Sequence, residues 1–323
     1  MTGSSRGRLT RPGLAVLLLA AGAILALASD FQLFKFTVVL VYAIALLGLN
    51  IVTGYNGQIS LGHGAFYTLG SYVAAILIVF FSVPHWLALP VAGGVCLAAG
   101  FLFALPLVRI QGVQFALVTF ALAMVTPQLA NYKGIEHWTG GSQGLGLEAP
   151  EVPFGLPLSY DQWIFLLSLG VLVALFVVAS NLLGGRIGRA VIAIRDHPLA
   201  AQAMGIDATR YKALVFGISA MYTGIAGALS GMALLYVSPA SIFLSLSFLI
   251  GSAVGGIATL SGAIYGAAFL QVILLLTSEI AQSVKTPAVL AVYGIVVIAF
   301  LHLLPGGIAG LVAKLPNAMR WRN

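Results

Sequence analysis

The chain has 323 residues, of which 7% are charged and 60% apolar, and its formal net charge is +7. Soluble domains carry about 25% charged residues, and this much apolar surface in water would drive association, so a soluble enzyme, a nucleic-acid binder and a disordered chain are excluded. The apolar residues come in long runs, not in the short alternating segments of an outer-membrane barrel. What remains is an all-α, polytopic bundle of transmembrane helices.

A membrane-spanning helix needs about 17–25 mostly apolar residues. In chain order such runs fall at 13–29, 36–52, 65–83, 86–108, 112–130, 163–183, 213–235, 242–258, 261–278 and 287–304. That gives about ten spans, with eight as the lower bound. The runs at 242–258 and 261–278 are short and separated only by Thr259 and Leu260, so one broken helix plus a re-entrant piece is an alternative. The first run follows Arg6, Arg8 and Arg11 and ends near Ala26-Leu27-Ala28, which resembles a signal-peptidase site; a retained first helix is the expectation. Cys96 is the single cysteine and lies inside an apolar run. It reads as packing, with no intrachain disulfide and no cysteine-based metal site.

Lys and Arg collect in loops on the cytoplasmic side. With ten spans, one side holds Arg6, Arg8, Arg11, Arg109, Arg186, Arg189, Arg195, Arg210, Lys212, Lys314, Arg320 and Arg322, which is 12 of the 15 basic residues. The other holds Lys35, Lys133 and Lys285 together with Asp30, Glu136, Glu148, Glu151, Asp161 and Glu279. Both termini are therefore expected in the cytoplasm. The chain reads as one transmembrane domain over 1–323. Its parts are cytoplasmic tails at 1–12 and 305–323, an external loop at 131–162 and a cytoplasmic loop at 184–212.

The sequence has no Gly-x-x-x-x-Gly-Lys-Ser/Thr run and no His-Glu-x-x-His motif. No Asp or Glu lies mid-span, where proton-coupled carriers place their relay groups. No catalytic residue, metal or cofactor is expected. The chain reads as a conduit without its own energy source: a passive channel, or one driven by a partner.

Two stretches interrupt this pattern. Leu49 to Phe66 carries Asn50, Thr53, Asn56, Gln58 and Ser60 with four glycines and His63. Irregular backbone at membrane depth survives only where protein or a water cavity satisfies it. The stretch reads either as a tight inter-helix turn or as the lining of a pathway, with Asn50, Asn56, Gln58, Ser60 and His63 as candidate path residues. The second stretch is Gly185 to Lys212. Asp196-His197-Pro198 starts a short helix over Leu199–Met204, and Gly205 stops it. Such a helix suits a groove in a soluble partner, or else it is a plain amphipathic surface helix.

Together these stretches resemble the membrane-permease subunit of bacterial branched-chain amino acid ABC importers, in the longer of its two permease types. Asn50–Phe66 is similar to the family's second-to-third helix signature, and Arg189–Lys212 to its ATPase-docking loop. Ala200-Ala201-x-x-x-Gly205 matches the core of the general docking motif, with Leu199 in place of its leading Glu. Gly112–Val125, Gly140-Gly141-Ser142-Gln143-Gly144-Leu145, Ser238-Pro239 and Gly255-Gly256 extend the likeness over about 36–310. The chain departs from the pattern at Ala240, at Thr259-Leu260-Ser261 and at Pro305-Gly306-Gly307.

The resemblance implies a second, different permease, two ATP-binding subunits, a periplasmic substrate-binding protein and the lipid bilayer as partners, and no nucleic acid. It implies docking of the ATPase at Arg195, Asp196, Ala200, Ala201 and Gly205. Gly140, Gly141 and Ser142 would touch the binding protein. A permease for urea or another small amide or sugar, and an autonomous facilitator, stand as alternatives. Gly227-x-x-x-Gly231, Gly251-x-x-x-Gly255 and Gly262-x-x-x-Gly266 present small faces for close helix approach, expected to pack within the subunit.

Overall fold

The computed structural model describes residues 25, 28–107, 109–110, 112–149, 152, 157–239, 242–284, 288–304 and 306–320, with side chains described outside 277–293 and 314–320. The expected first span at 13–29 lies almost wholly outside these residues, as does the 1–12 tail. The chain is helical: α1 Asp30–Asn50 runs into a π-helical turn, Ile51–Tyr55, and is followed by α2 His63–Phe81, α3 His85–Leu107, α4 Val113–Ala130 and the single turn α5 Glu136–Thr139. Then come α6 Tyr160–Gly184, α7 Arg186–Asp196, α8 Pro198–Ala203, α9 Ala208–Leu234, α10 Ile242–Gly255, α11 Leu260–Val284, α12 Ala288–Leu303 and α13 Gly307–Arg320. Among the described residues, seven helices are long and apolar enough to cross a membrane, and α10 is one of two shorter apolar helices. The chain is therefore a multi-pass membrane protein, and each apolar run expected from residue 36 onward overlaps a helix, with ends up to six residues apart.

Local sequence sets the helix ends. α1 and α6 both open on Ser-x-x-Gln. The Gln32 and Gln162 side chains accept from the backbone N–H of Ser29 and Ser159 at 3.1 and 3.0 Å, the returning half of a capping box. Asp30 and Asp161 occupy the first turns, where a negative charge complements the helix dipole. The two starts lie together, because the Ser159 hydroxyl donates to Asp30 at 3.2 Å. This Asp30 end of the bundle also carries residues 131–149. The opposite, Gly54 end carries α7, α8 and the 256–259 turn.

α9 is the axis of the bundle and is buried along most of its length against α1, α2 and α3. Small residues allow the approach. A Cβ on Gly70 would overlap the Gly224 main chain, one on Gly227 would overlap the Tyr67 carbonyl, and one on Gly224 would strike Cys96. Cys96 is thus fully buried packing, as its setting implied. The Gly227/Gly231 face closes on Tyr67, Ser71 and Val237, and the Gly251/Gly255 and Gly262/Gly266 faces close on each other across the α10–α11 turn. All three motifs pack within the chain.

One element departs from the all-α expectation. Leu145–Gly146 and Tyr236–Val237 pair as a two-residue antiparallel ribbon, and the Tyr236 hydroxyl donates to the Gln143 carbonyl. The ribbon ties the 131–149 loop to the end of α9.

The α2–α9 crossing makes a contrast testable. Gly70→Leu has no space and should cost about 1–3 kcal/mol or more, seen as loss of membrane abundance. Gly170→Ala meets nothing within 4 Å and should hold or raise thermal stability in detergent, since alanine is the better helix former by about 1 kcal/mol.

Candidate functional site

The polar stretch at the end of α1 folds into an irregular connection, and hydroxyls from other helices take two of the main-chain donors where it leads into α2. Leu61 N–H donates to Thr119 Oγ1 on α4 at 3.0 Å, and Gly64 N–H to Ser245 Oγ on α10 at 3.0 Å. Ser60 Oγ accepts from Gly62 N–H at 3.3 Å. These are the donors left over where the connection turns into α2, and a helix start buried without such partners would be costly.

His63 opens α2 and is enclosed. Its Nε2 lies 2.6 Å from Ser219 Oγ, and Ser219 Oγ donates its proton to the Gly48 carbonyl at 2.6 Å. Ser219 must therefore accept from His63, which assigns the proton to Nε2 and leaves Nδ1 to accept from Ser60 Oγ at 2.9 Å. Phe66 and Phe216 meet the ring edge-on. Asn50 makes a second node: Nδ2 donates to the Thr259 carbonyl at 3.1 Å and Oδ1 accepts from Ser252 Oγ at 2.7 Å.

Asn56 Nδ2 donates to Gln58 Oε1 at 2.6 Å. Asn56 Oδ1 and Thr53 Oγ1, both buried, meet no partner among the described residues. Asn50, Asn56, Gln58, Ser60 and His63 thus lie in one segment but serve three separate contacts. All are buried in the chain, so none of them lines an open channel in this conformation.

The adjoining α7–α8 loop explains its own sequence. Pro198 opens α8, and Gly205 closes it at φ +81, with Gly205 N–H to the Gln202 carbonyl and Ile206 N–H to the Ala201 carbonyl at 2.9 and 3.0 Å. This is a Schellman closure, which favours glycine at the left-handed position. Ala201 is 4% exposed and packs on Ile194 and Ala208, facing its own chain. Ala200 and Gly205 are exposed. Leu199 and Met204 are 82% and 83% exposed. Sequence reasoning missed these two, although an apolar pair flanking a short helix in a basic loop was a usable signal. Arg195 turns inward: Nη1 donates to the Gly54 carbonyl at 2.8 Å and Nε to Asp196 at 2.8 Å. That hydrogen bond holds the Asp196 carboxyl below the usual carboxylate range. The pair is therefore intact at neutral pH and is lost only as acid protonates Asp196.

At the Asp30 end, Gly140 and Gly141 take φ +71 and +56 and shape the loop, with Gly141 N–H on Thr139 Oγ1. Gly141 is buried and Ser142 exposed. Beside them Phe80 and Phe81 contact Trp138 at 4.9 and 6.2 Å between ring centres. Exposed Trp86 and Tyr132 lie at helix ends of the same side, an aromatic belt of the kind found at membrane–water interfaces. Between α1, α9 and α11 a crevice of about 260 Å³ is lined by uncharged residues, among them Val38, Tyr42, Ser230 and Gln271. Among the described residues no cluster of His, Cys, Asp and Glu could hold a metal.

The site thus consists of a buried polar break between α1 and α2 and an exposed apolar pair on a basic loop, carried by a multi-pass bundle. Residues 33–301 match the family described as the permease component of the branched-chain amino acid transport system, and the chain belongs to that family. It is 31% identical over 288 residues to the high-affinity branched-chain amino acid transport permease LivM of Salmonella typhimurium, covering 81% of this chain and 66% of the relative. It is 30% identical over 313 residues to LivM of Escherichia coli K12, covering 87% and 72%. The high-affinity branched-chain amino acid transport permease BraD of Pseudomonas aeruginosa is 26% identical over 254 residues, covering 72% of this chain and 80% of the relative. The chain thus spans just under two thirds of the Salmonella relative's length. No solved structure matches it.

The His63 node yields a prediction. Ser219→Ala removes the acceptor of a buried N–H and the donor to Gly48. It should cost about 1–3 kcal/mol, read as a lower unfolding temperature in detergent. An unchanged temperature would mean that the triad carries no stability.

Proposed function

We propose that the chain is one permease subunit of an ATP-driven importer of the bacterial inner membrane. With a second permease it forms the pathway for branched-chain or related amino acids delivered by a periplasmic binding protein, and two ATP-binding subunits drive it. The exposed Leu199–Met204 pair is the observation that carries this reading. Leu199 and Met204 are 82% and 83% exposed on a glycine-closed helix of the basic loop, and they are the surface on which this reading seats an ATP-binding subunit.

The reading also rests on kinship. The relatives are named as branched-chain amino acid permeases, and two kinds of such permease match, named LivM and LivH. Both termini are cytoplasmic. The α7–α8 loop with Arg186, Arg189, Arg195 and Arg210 is on that side, and the 131–162 loop faces the periplasm, where the Gly140–Ser142 turn meets the binding protein. Docking is by Leu199, Ala200 and Met204. Ala201, Asp196 and Gly205 hold the shape that presents them. The path segment is Asn50–His63, closed in this conformation. The crevice lining offers no charge to a zwitterion, so selection among amino acids falls to the binding protein.

Two measurements check this reading. Leu199→Asp with Met204→Asp should leave membrane abundance intact, because neither side chain is packed, and should abolish ATPase co-purification and uptake. Retained ATPase with normal leucine uptake would remove the docking assignment. A tag placed after Ser142 should be reached by antibody in spheroplasts without lysis, whereas labelling only after lysis would reverse the topology.

A further inference from the structure

The docking loop and the broken end of α1 are joined through one side chain. We infer that Arg195 is a positioning residue that transmits movement of the α7–α8 loop to the π-helical end of α1 and, through it, to the 256–259 turn. The inference rests on the importer reading and adds the route by which work enters the membrane.

The geometry is continuous. The π turn shifts pairing so that Asn56 N–H reaches the Ile51 carbonyl and Gln58 N–H the Val52 carbonyl. The Gly54 carbonyl, near the helix end, takes the Arg195 guanidinium at 2.8 Å. A cation is well placed there against the negative end of the helix dipole. The Arg195 stem lies on Gly57 at φ +72, where a Cβ would come within 2.8 Å of Arg195 Cγ.

On its other face Gly54 abuts the 256–259 turn, and a Cβ there would lie 2.6 Å from Ala258 Cα. Ala258 takes φ +62, a left-handed conformation that non-glycine residues rarely adopt. Asn50 fastens Thr259 of the same turn. Gly256 in turn meets Gly307 at the start of α13. These contacts connect Arg195 with the end of α1, with the turn between α10 and α11 and with the start of α13.

Two further features mark this region as one that changes. Thr53 Oγ1 and Asn56 Oδ1 are buried beside the π turn without partners among the described residues. Buried polar groups are almost always paired, so these two mark the segment as incompletely satisfied as it stands. π turns and strained non-glycine residues also concentrate at functional sites. A purely capping role for Arg195 would stabilise α1 and do nothing else.

The test separates these roles in the complete importer with its ATPases and binding protein in proteoliposomes. In Arg195→Met the stem stays and the donors go. The ATPase should remain bound, and ATP hydrolysed per leucine transported should rise severalfold over the wild-type ratio. Arg195→Lys should recover part of the loss. An unchanged ratio, or release of the ATPase, overturns the inference; wild-type protein that binds no ATPase overturns the importer reading instead.

A second measurement does not depend on those variants. In Ile59→Cys, a position 48% exposed in the 56–62 connection, labelling by a hydrophilic maleimide should change between resting and vanadate-trapped importer. Equal labelling in both states means that the segment does not move, and the inference falls.

Discussion

Backbone that leaves the helix inside a bilayer must find every partner within the protein, because hydrocarbon offers none. The connection from Ile51 to Gly62 is where this chain meets that constraint, and much of its architecture answers it. Thr119, Ser219, Ser245 and Ser252 come from α4, α9 and α10. Each supplies one hydroxyl to a main-chain group or to a side chain that holds the main chain. Without these hydroxyls the connection would keep only its π-turn bonds and its contacts with Arg195 and Ala258. His63 fits the same scheme, since both ring nitrogens are used and the ring is packed against aromatic faces.

The constraint divides the molecule into a stiff part and a jointed part. Where α2, α3 and α9 cross, Gly70, Gly224, Gly227 and Cys96 interlock so closely that small displacements produce overlap. Close-packed interiors transmit strain and do not absorb it. At the Gly54 end the contacts are of a different kind: a π turn, a left-handed alanine, glycines at positive φ and hydrogen bonds from long side chains. That end also carries the loop with the uncovered Leu199 and Met204. On the proposed importer reading, the crossing is the frame and the Gly54 end the joint that a driver bound to the α7–α8 loop reaches.

Much of the fold could be read directly. Long apolar runs gave the helices from residue 36 onward, and Pro198 and Gly205 bracketed α8. The Ser-x-x-Gln boxes at Ser29 and Ser159 were equally visible and went unused. The site was less legible, for physical reasons. An isolated serine in an apolar helix looks alike whether it bonds its own turn or a backbone 171 positions away, as Ser219 does with Gly48. Ala201 is small, and smallness suits a partner's surface and the chain's own interior equally; only the packing against Ile194 and Ala208 decides. Arg195 lies in a basic loop and so reads as a surface charge, yet its guanidinium reaches back to Gly54. The polar stretch Asn50–His63 was recognisable as exceptional, but its division into separate nodes depends on helices far away in sequence.

The central claim is that the Gly54 end is the joint and the α2–α9 crossing the frame. Amide hydrogen exchange on the assembled importer, resting and vanadate-trapped, tests it most directly. The account predicts that protection changes together in 50–62 and 256–260 while amides around 67–72 and 222–228 keep theirs. A change spread evenly over all four segments, or one confined to the crossing, would contradict it.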